Sequence, residues 1–599
     1  MSQNSSWSDL DVAQGVVSSA LKGQGKLVTY DAGTTLHVFS SVTRSWHALP
    51  KSSTGSVRLF NDCVVILEPT SCLAFSSHTG RSASITTSAP TTLLNALNQK
   101  NDSIALVHSG TQLHAFSAFR GTWQSRTVSS SYSASAQRHV AVLHDGATLA
   151  AMSAFDGAWH DHQHNTTITG TTADGTVATA SSATSQFAFS GHTCSWQSAP
   201  TIANASFARG DDWAMWFANG SVLAFSGLRG NFVAEQTGAT GIAGSTDLYA
   251  LLTTPTGTCA YSAVTSDLLT IANAPSAITL GGATALLHDG PTIIGYSALR
   301  QQTAPLPTTA TASSAGNSVA VATNAAGQSF AWSSFTASWH AAPTVTVGIM
   351  PTVTTTTIAF DTTTDAYAFA ARTGQFVPLG SAIQGLIANP TSAPLLAHNA
   401  NELAAFDTDG ERWVSSPRQS STPPVFSIWR TSSIVLDGQT AHGFGAQAAD
   451  WQQHLLPAGN ASATANSEVA YIVTSHRIAA CSMLPEIVSF QQFPHFRRVQ
   501  PRGAPITFAA APTDAAFAIA AFAQPTAPVV VPGLGELLLD ANHAFLVPIA
   551  PSHKQPVQQV TLQVPADLVL SGSTLASQLV VLPQTALPYL SNRATVTIW

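Results

Sequence analysis

Charge is what this chain has least of. Asp, Glu, Lys and Arg make up only 9% of its 599 residues, and lysine is scarce. The net charge of −7 is thinly spread, which excludes a basic nucleic-acid surface. Cysteine is also sparse: the five, at 63, 72, 194, 259 and 481, form no C-x-x-C pair. An odd, scattered set excludes a disulfide framework. Cys63 and Cys72 flank a hairpin pattern and read as two small buried hydrophobes, with a bridge as the alternative. No apolar run approaches the roughly 20 residues of a membrane helix, so no membrane span is expected. Met1–Trp7 has neither a basic n-region nor an apolar h-region. The chain is therefore expected either in the cytoplasm or, with a signal removed, at the cell surface or outside. A long amphipathic helix pattern is missing before residue 500.

What is present is a repeat. Ala, Ser, Thr and Gly dominate, and a 45% apolar share is enough for a packed core. Leu113-His-Ala-Phe-Ser-Ala-Phe-Arg-Gly-Thr-Trp123 reads as strand, tight turn, strand. Copies recur around Phe39, Phe75, Met152, Phe189, Phe225, Tyr261, Tyr296, Trp332, Phe369, Phe406, Phe444 and Cys481. With Phe116 in its place, the spacings lie between 35 and 41 residues, mostly 36 or 37.

Each unit has the same grammar. A β-rich run such as Val140–Leu143 comes first, and a turn often carrying Asp-Gly follows, as in Asp145-Gly146. The aromatic strand is next, then a second turn often ending in Gly, then a strand opening with Trp. The aromatic strand is apolar on both faces, as expected of a strand covered on both sides. Four short strands per period of about 37 residues make the expected fold all-β, built of tandem β-propellers with about 12–13 repeats over residues 1–490. A β-solenoid is the other architecture considered. Ser5–Leu10 resembles Arg44–Leu49, so the chain begins with the outer part of a blade, and the unit around Cys481 lacks its Trp. The two ends are expected to complete one blade. Roughly thirteen units exceed the usual 4–8 blades, which predicts two propellers, six plus seven. From about Pro501 strand-like runs separated by Pro and Gly predict a C-terminal β-sandwich over residues 500–599, behind a basic linker at Pro494–Arg502.

The repeat Asp145-Gly146…Leu149-Ala-Ala-Met-Ser-Ala-Phe-Asp-Gly-Ala-Trp159 resembles the blade motif of quinoprotein-like and kelch-like propellers. The stretches Pro532–Asp540, Val564–Asp567, Gly572–Gln578 and Leu590–Ile598 resemble a C-terminal β-sandwich module of repeat-rich secreted bacterial proteins. The first resemblance implies blade geometry. The second implies an exported or surface protein. Neither brings catalytic residues.

Candidate site residues are those that break the repeat. His160, His162 and His164 share one face of a strand, about 6–7 Å apart in succession, and are candidate ligands for a divalent metal. His47 and His340 occupy the same place after Trp in other units, which points to an ordinary outer-strand position. Asp407 and Asp409 resemble the start of a calcium loop, without the rest of it. The Ser after the aromatic, present in ten units, is expected to hydrogen-bond the turn backbone, and the Trp series to pack blades. No catalytic residue or cofactor is expected. The function that fits is a non-enzymatic secreted or cell-surface structural or adhesion protein. Its expected partners are other proteins or further copies of itself, joined through the strand ending at Trp599. A glycan-binding propeller is the alternative, and a glycan-processing enzyme a more distant one.

Overall fold

The computed structural model describes residues 7–484, short turns excepted, and the strands of the segment from Ile487 onward. Thirteen four-stranded antiparallel sheets follow one another, giving an all-β propeller of thirteen blades. Blades 1 to 6 span Leu21–Pro50, Ser56–Thr86, Thr91–Thr127, Ser133–Gln163, Ile168–Pro200 and Ser206–Ala239. Blades 7 to 12 span Gly241–Ile271, Ala277–Pro305, Ala312–Ala341, Thr352–Pro378, Gly385–Pro417 and Val425–Leu455. Blade 13 takes three strands from Ser462–Ser482, and its fourth is Trp7–Asp11, paired with Arg477–Cys481. The two distant segments do share a blade, and no blade edge is left open at the join. One 3-10 turn, Ser18–Ala20, is the only helical element among the described residues.

Within each blade the second and third strands are buried and the first and fourth are half exposed, as in Val140–Asp145 and Thr148–Ser153 against Ser133–Gln137 and Trp159–Gln163. This is why the third strand is apolar on both faces. Phe39, Phe75, Phe116, Phe189 and Phe225 are all buried. Each such ring contributes roughly 1.5–3 kcal/mol on leaving water. In register, the third-strand aromatic faces the fourth-strand Trp: Phe116 opposite Trp123, with ring centroids 5.2 Å apart, and Phe189 opposite Trp196, 5.5 Å apart.

Two side-chain clips join the blades. The recurrent Ser accepts a hydrogen bond from its own turn, as the Arg120 amide gives Ser117 at 3.1 Å. It also donates forward to a carbonyl of the next blade: Ser117 to Ala154 at 2.6 Å, Ser153 to Gly191 at 2.7 Å, Ser262 to Ala298 at 2.7 Å. The Trp indole donates backward: Trp123 to Ala83 at 3.0 Å, Trp196 to His160 at 2.9 Å, Trp451 to Val414 at 3.0 Å. The local half of the serine's role was visible in the sequence; the forward half needs the neighbouring blade. Blade 8 lacks the Trp, and there Gln301 reaches back to the Ala260 carbonyl at 2.7 Å.

The C-terminal strands form a three-stranded sheet (Ile487–Ser489, Pro505–Ala510, Gln558–Gln563), a six-stranded sheet and a two-stranded ribbon. The expected basic linker lies outside the described residues, except for the strand Val499–Gln500. The last strand, Ala594–Ile598, pairs with Thr574–Ser577 on one side and Val499–Gln500 on the other. It is thus flanked within the chain, contrary to its expected role as an edge for a neighbouring copy. Cys63 and Cys72 are buried and unbridged.

Candidate functional site

The turn between the first and second strands of each blade hydrogen-bonds the same turn of the next. Examples are His139 to Gly175 at 3.0 Å, Thr176 to Asp211 at 2.7 Å and Glu468 to Gly25 at 3.2 Å. In a chain so poor in charge, these turns gather much of it. From blade 13 to blade 7 they carry Glu468, Lys26, Asp62, Asp102, Arg138, His139, Asp211, Asp212 and Asp247. Lys26 bridges Asp62 at 2.7 Å and Glu468 at 3.1 Å, joining blades 1, 2 and 13. His78 lies 3.3 Å from Asp62, and Ser103 of blade 3 donates to the same carboxylate. Arg138 pairs with Asp211, two blades on, and its amide donates to Asp102 at 2.7 Å.

Burial pushes Asp62 toward neutrality, but the charges of Lys26 and His78 and their hydrogen bonds prevail and hold it well below the usual carboxylate range. Asp102 and Asp212 have weaker help, and burial raises them to about 6 and about 7. Asp212 keeps one bond, from Thr176 at 2.7 Å, and its second oxygen has no hydrogen-bond partner. Burial lowers His139 to about 3 and His192 to about 4, so both are neutral. Phe119 and Phe155 pack against these rings. This network is chiefly a joint between blades, and no sequence motif announced it because each blade supplies only one or two residues.

The three predicted histidines do lie along one face, and each meets blade 5. His160 packs on Phe189 at 5.6 Å, His162 on Phe187 at 5.3 Å and His164 on Phe187 at 6.2 Å. His164 also bonds the Thr166 carbonyl at 2.8 Å. The structure does not gather the three on one point. It brings His160 to Asp156, 2.6 Å away, and to Cys194 of blade 5; one ligand atom from each lies within 4.8 Å of the others. Burial pushes the Cys194 thiol up to about 12, so it is no ready nucleophile. Asp407 occupies the clip-serine position of blade 11. Arg412 lies 3.9 Å from it, and Arg372 is a second cation beside it. Thr408 takes over the forward bond, to Ala446 at 3.1 Å. Asp409 lies outside the described residues.

A groove of about 530 Å³ opens between the first two strands of blade 5 and the first strand of blade 6. Thr171, Thr172, Thr179 and Ser181 line one side, Phe207 and Arg209 the other. A register shift between Ile168 and Gly170 bulges the blade 5 strand beside it. Phe207 is 43% exposed, yet its ring is held 5.2 Å from the buried Trp216. Arg209 is fixed by Asp174 at 3.1 Å.

No protein-family model matches the chain, and no curated protein does. Among solved structures, the extracellular domain of the two component system protein BT4673 from B. thetaiotaomicron aligns over 99% of both chains, at 9% identity and a TM-score of 0.18. The computationally designed Ika8 protein aligns over 53% of this chain and 97% of its own, at 12% identity and a TM-score of 0.18. Apo AztD from Citrobacter koseri aligns over 50% and 93%, at 8% identity and a TM-score of 0.19. Likeness at this level says nothing of ligand or activity.

Proposed function

We propose that this chain is a non-enzymatic secreted or cell-surface adhesion protein that holds a carbohydrate in the groove between blades 5 and 6. The groove carries the reading. It sets the exposed Phe207 ring beside the half-buried Thr171 and Thr172 on rigid strands, with Thr179 buried at its floor and the Ser181 hydroxyl held by Gln186 at 2.6 Å, a mainly apolar lining suited to stacking a sugar ring. Its charged residue, Arg209, is paired with Asp174 and is placed to orient a ligand. The C-terminal module, as a β-sandwich, would mount the propeller on a surface. Grouping the blades as six plus seven in two propellers belongs to the same reading. It is supported by contacts that skip blades, such as Arg138 of blade 4 lying 3.9 Å from Asp247 of blade 7.

The test is a glycan array with the full chain, followed by saturation-transfer NMR on the hits. Phe207→Ala is expected to weaken binding about tenfold or more through the lost aromatic contact. An array without hits, or binding untouched by Phe207→Ala, refutes the carbohydrate reading. Light scattering separates a monomeric adhesin from the second form of this proposal, a self-assembling surface protein.

A further inference from the structure

Blade 4 and blade 5 meet at three positions, one a histidine found elsewhere in the repeat and two that other blades fill differently. In blades 1 and 9 the equivalent histidines, His47 and His340, bond hydroxyls of their own turn: Thr43 at 2.9 Å and Ser45 at 3.1 Å, Thr336 and Ser338 at 3.0 Å each. The residue facing them from the next blade is glycine, Gly80 or Gly374, both at positive φ. A Cβ at Gly374 would run into the His340 ring. At the blade 4–5 junction the turn hydroxyl is replaced by the Asp156 carboxylate, and the facing glycine by Cys194 at φ 53.

The direction of the Cys194 side chain follows from its place. Other residues at this left-handed turn position reach back to the preceding blade. Arg44 donates to the Leu484 carbonyl at 2.8 Å, Gln301 to that of Ala260, and Glu411 accepts from the Arg372 amide at 2.8 Å. Cys194 likewise faces Asp156 and His160. The carboxylate bonds the imidazole Nε2, and the thiol, which donates to the Gly191 carbonyl at 3.4 Å, lies within 4.8 Å of both ligand atoms. That is unlike a relay triad, where the imidazole stands between acid and nucleophile.

We infer that Asp156, His160 and Cys194 form a three-ligand site for a borderline-soft divalent cation, Zn²⁺ by preference, with the fourth position open. Oxygen, nitrogen and sulfur donors within 4.8 Å suit tetrahedral zinc. Bound zinc sets its O and N ligands about 3.4 Å apart, so the present 2.6 Å contact widens slightly on binding. The side chains of His160 and Asp156 are 28% and 31% exposed, which allows that movement and leaves room for a water. The carboxylate is anchored by the Ala158 amide at 3.0 Å, the outer support that metal ligands normally have.

Titrating the full chain with Co²⁺ under reducing conditions tests this. A thiolate-to-cobalt charge-transfer band is expected with one ion per chain, and Zn²⁺ should abolish it. Cys194→Ser should lose the band, and Asp156→Asn and His160→Ala should each weaken binding at least about tenfold. His162→Ala, on the same strand outside the triad, should bind as the parent does. Circular dichroism and melting curves certify each variant as folded. Absence of the band in the parent chain, or a band that survives Cys194→Ser, overturns the assignment.

Discussion

The arc from blade 13 to blade 7 and the arc from blade 8 to blade 11 have the same backbone and opposite interiors at their turns. The first carries Lys26, Asp62, Asp102, Arg138, Asp212, Asp247 and Glu468, tied across blades. The second carries Gly282-Ala283, Asn317-Ser318, a run of threonines around Thr355, and Ser392-Ala393. At most junctions of both arcs the turn amide of one blade bonds the turn carbonyl of the next, as in Asp212 to Asp247 at 3.1 Å and Ala283 to Asn317 at 2.6 Å. At those junctions blade-to-blade geometry is held by the backbone without the charges, whereas between blades 2 and 3 the bond is from the Ser103 hydroxyl to the Asp62 carboxylate. Buried ion pairs of this kind contribute little net stability, yet they are severe when broken. The charged arc is thus the one that responds to pH and to single substitutions.

Breaking a pair should separate the arcs most strongly. Asp62→Asn removes the carboxylate that Lys26 meets at 2.7 Å and His78 at 3.3 Å, and should lower unfolding stability by about 3–5 kcal/mol in denaturant titration. In the neutral arc Thr357→Val removes a buried hydroxyl that donates to Phe369 at 2.7 Å, and should cost only about 1 kcal/mol. Equal losses would erase the contrast.

Acidity should separate them next. Asp212 sits at about 7, raised by burial above its unfolded value near 3.8. Its proton is held more tightly in the folded chain, so its contribution is fully present at low pH and is lost as pH rises from about 4 to about 7. Asp212→Asn removes that loss, gaining about 2–4 kcal/mol at pH 8 and almost nothing at pH 4. His139 and His192, lowered to about 3 and about 4, act oppositely: their contribution falls away as pH drops below about 6.5. Melting temperature against pH reads both slopes. An unchanged profile for Asp212→Asn would show that its carboxylate is not buried as described.

The smallest effect should be common to both arcs. Ser117→Ala and Ser297→Ala each delete a forward bond, to Ala154 and Ser334, both 2.6 Å. Each should cost about 1 kcal/mol, the same within error. A large difference would mean the clip depends on the charges beside it.

The repeat, its phase, a number of about 12–13 units and the shared terminal blade were legible in the sequence; the count of thirteen came with the structure. A 36- or 37-residue spacing of third-strand aromatics records a local rule, applied thirteen times and dictated by burial on both faces of one strand. The Ser and Trp were legible as structural residues, but their partners lie in adjacent blades and no local pattern names them. The same limit explains the site residues. His160 was visible from its alternation with His162 and His164, whereas alternation says nothing of what faces it. Asp407 looked like a cation ligand until its neighbours, Arg372 and Arg412, were in place.

Sequence alone thus determined the blade, because hydrophobic alternation, turn residues and a third-strand aromatic act within some 37 residues. Tertiary structure decided everything that lies between blades: the ionic circuit of the turns, the groove beside Phe207, and the meeting of Cys194 with Asp156 and His160. Those contacts join residues of different blades, and only the stacking of one blade on the next brings them within reach.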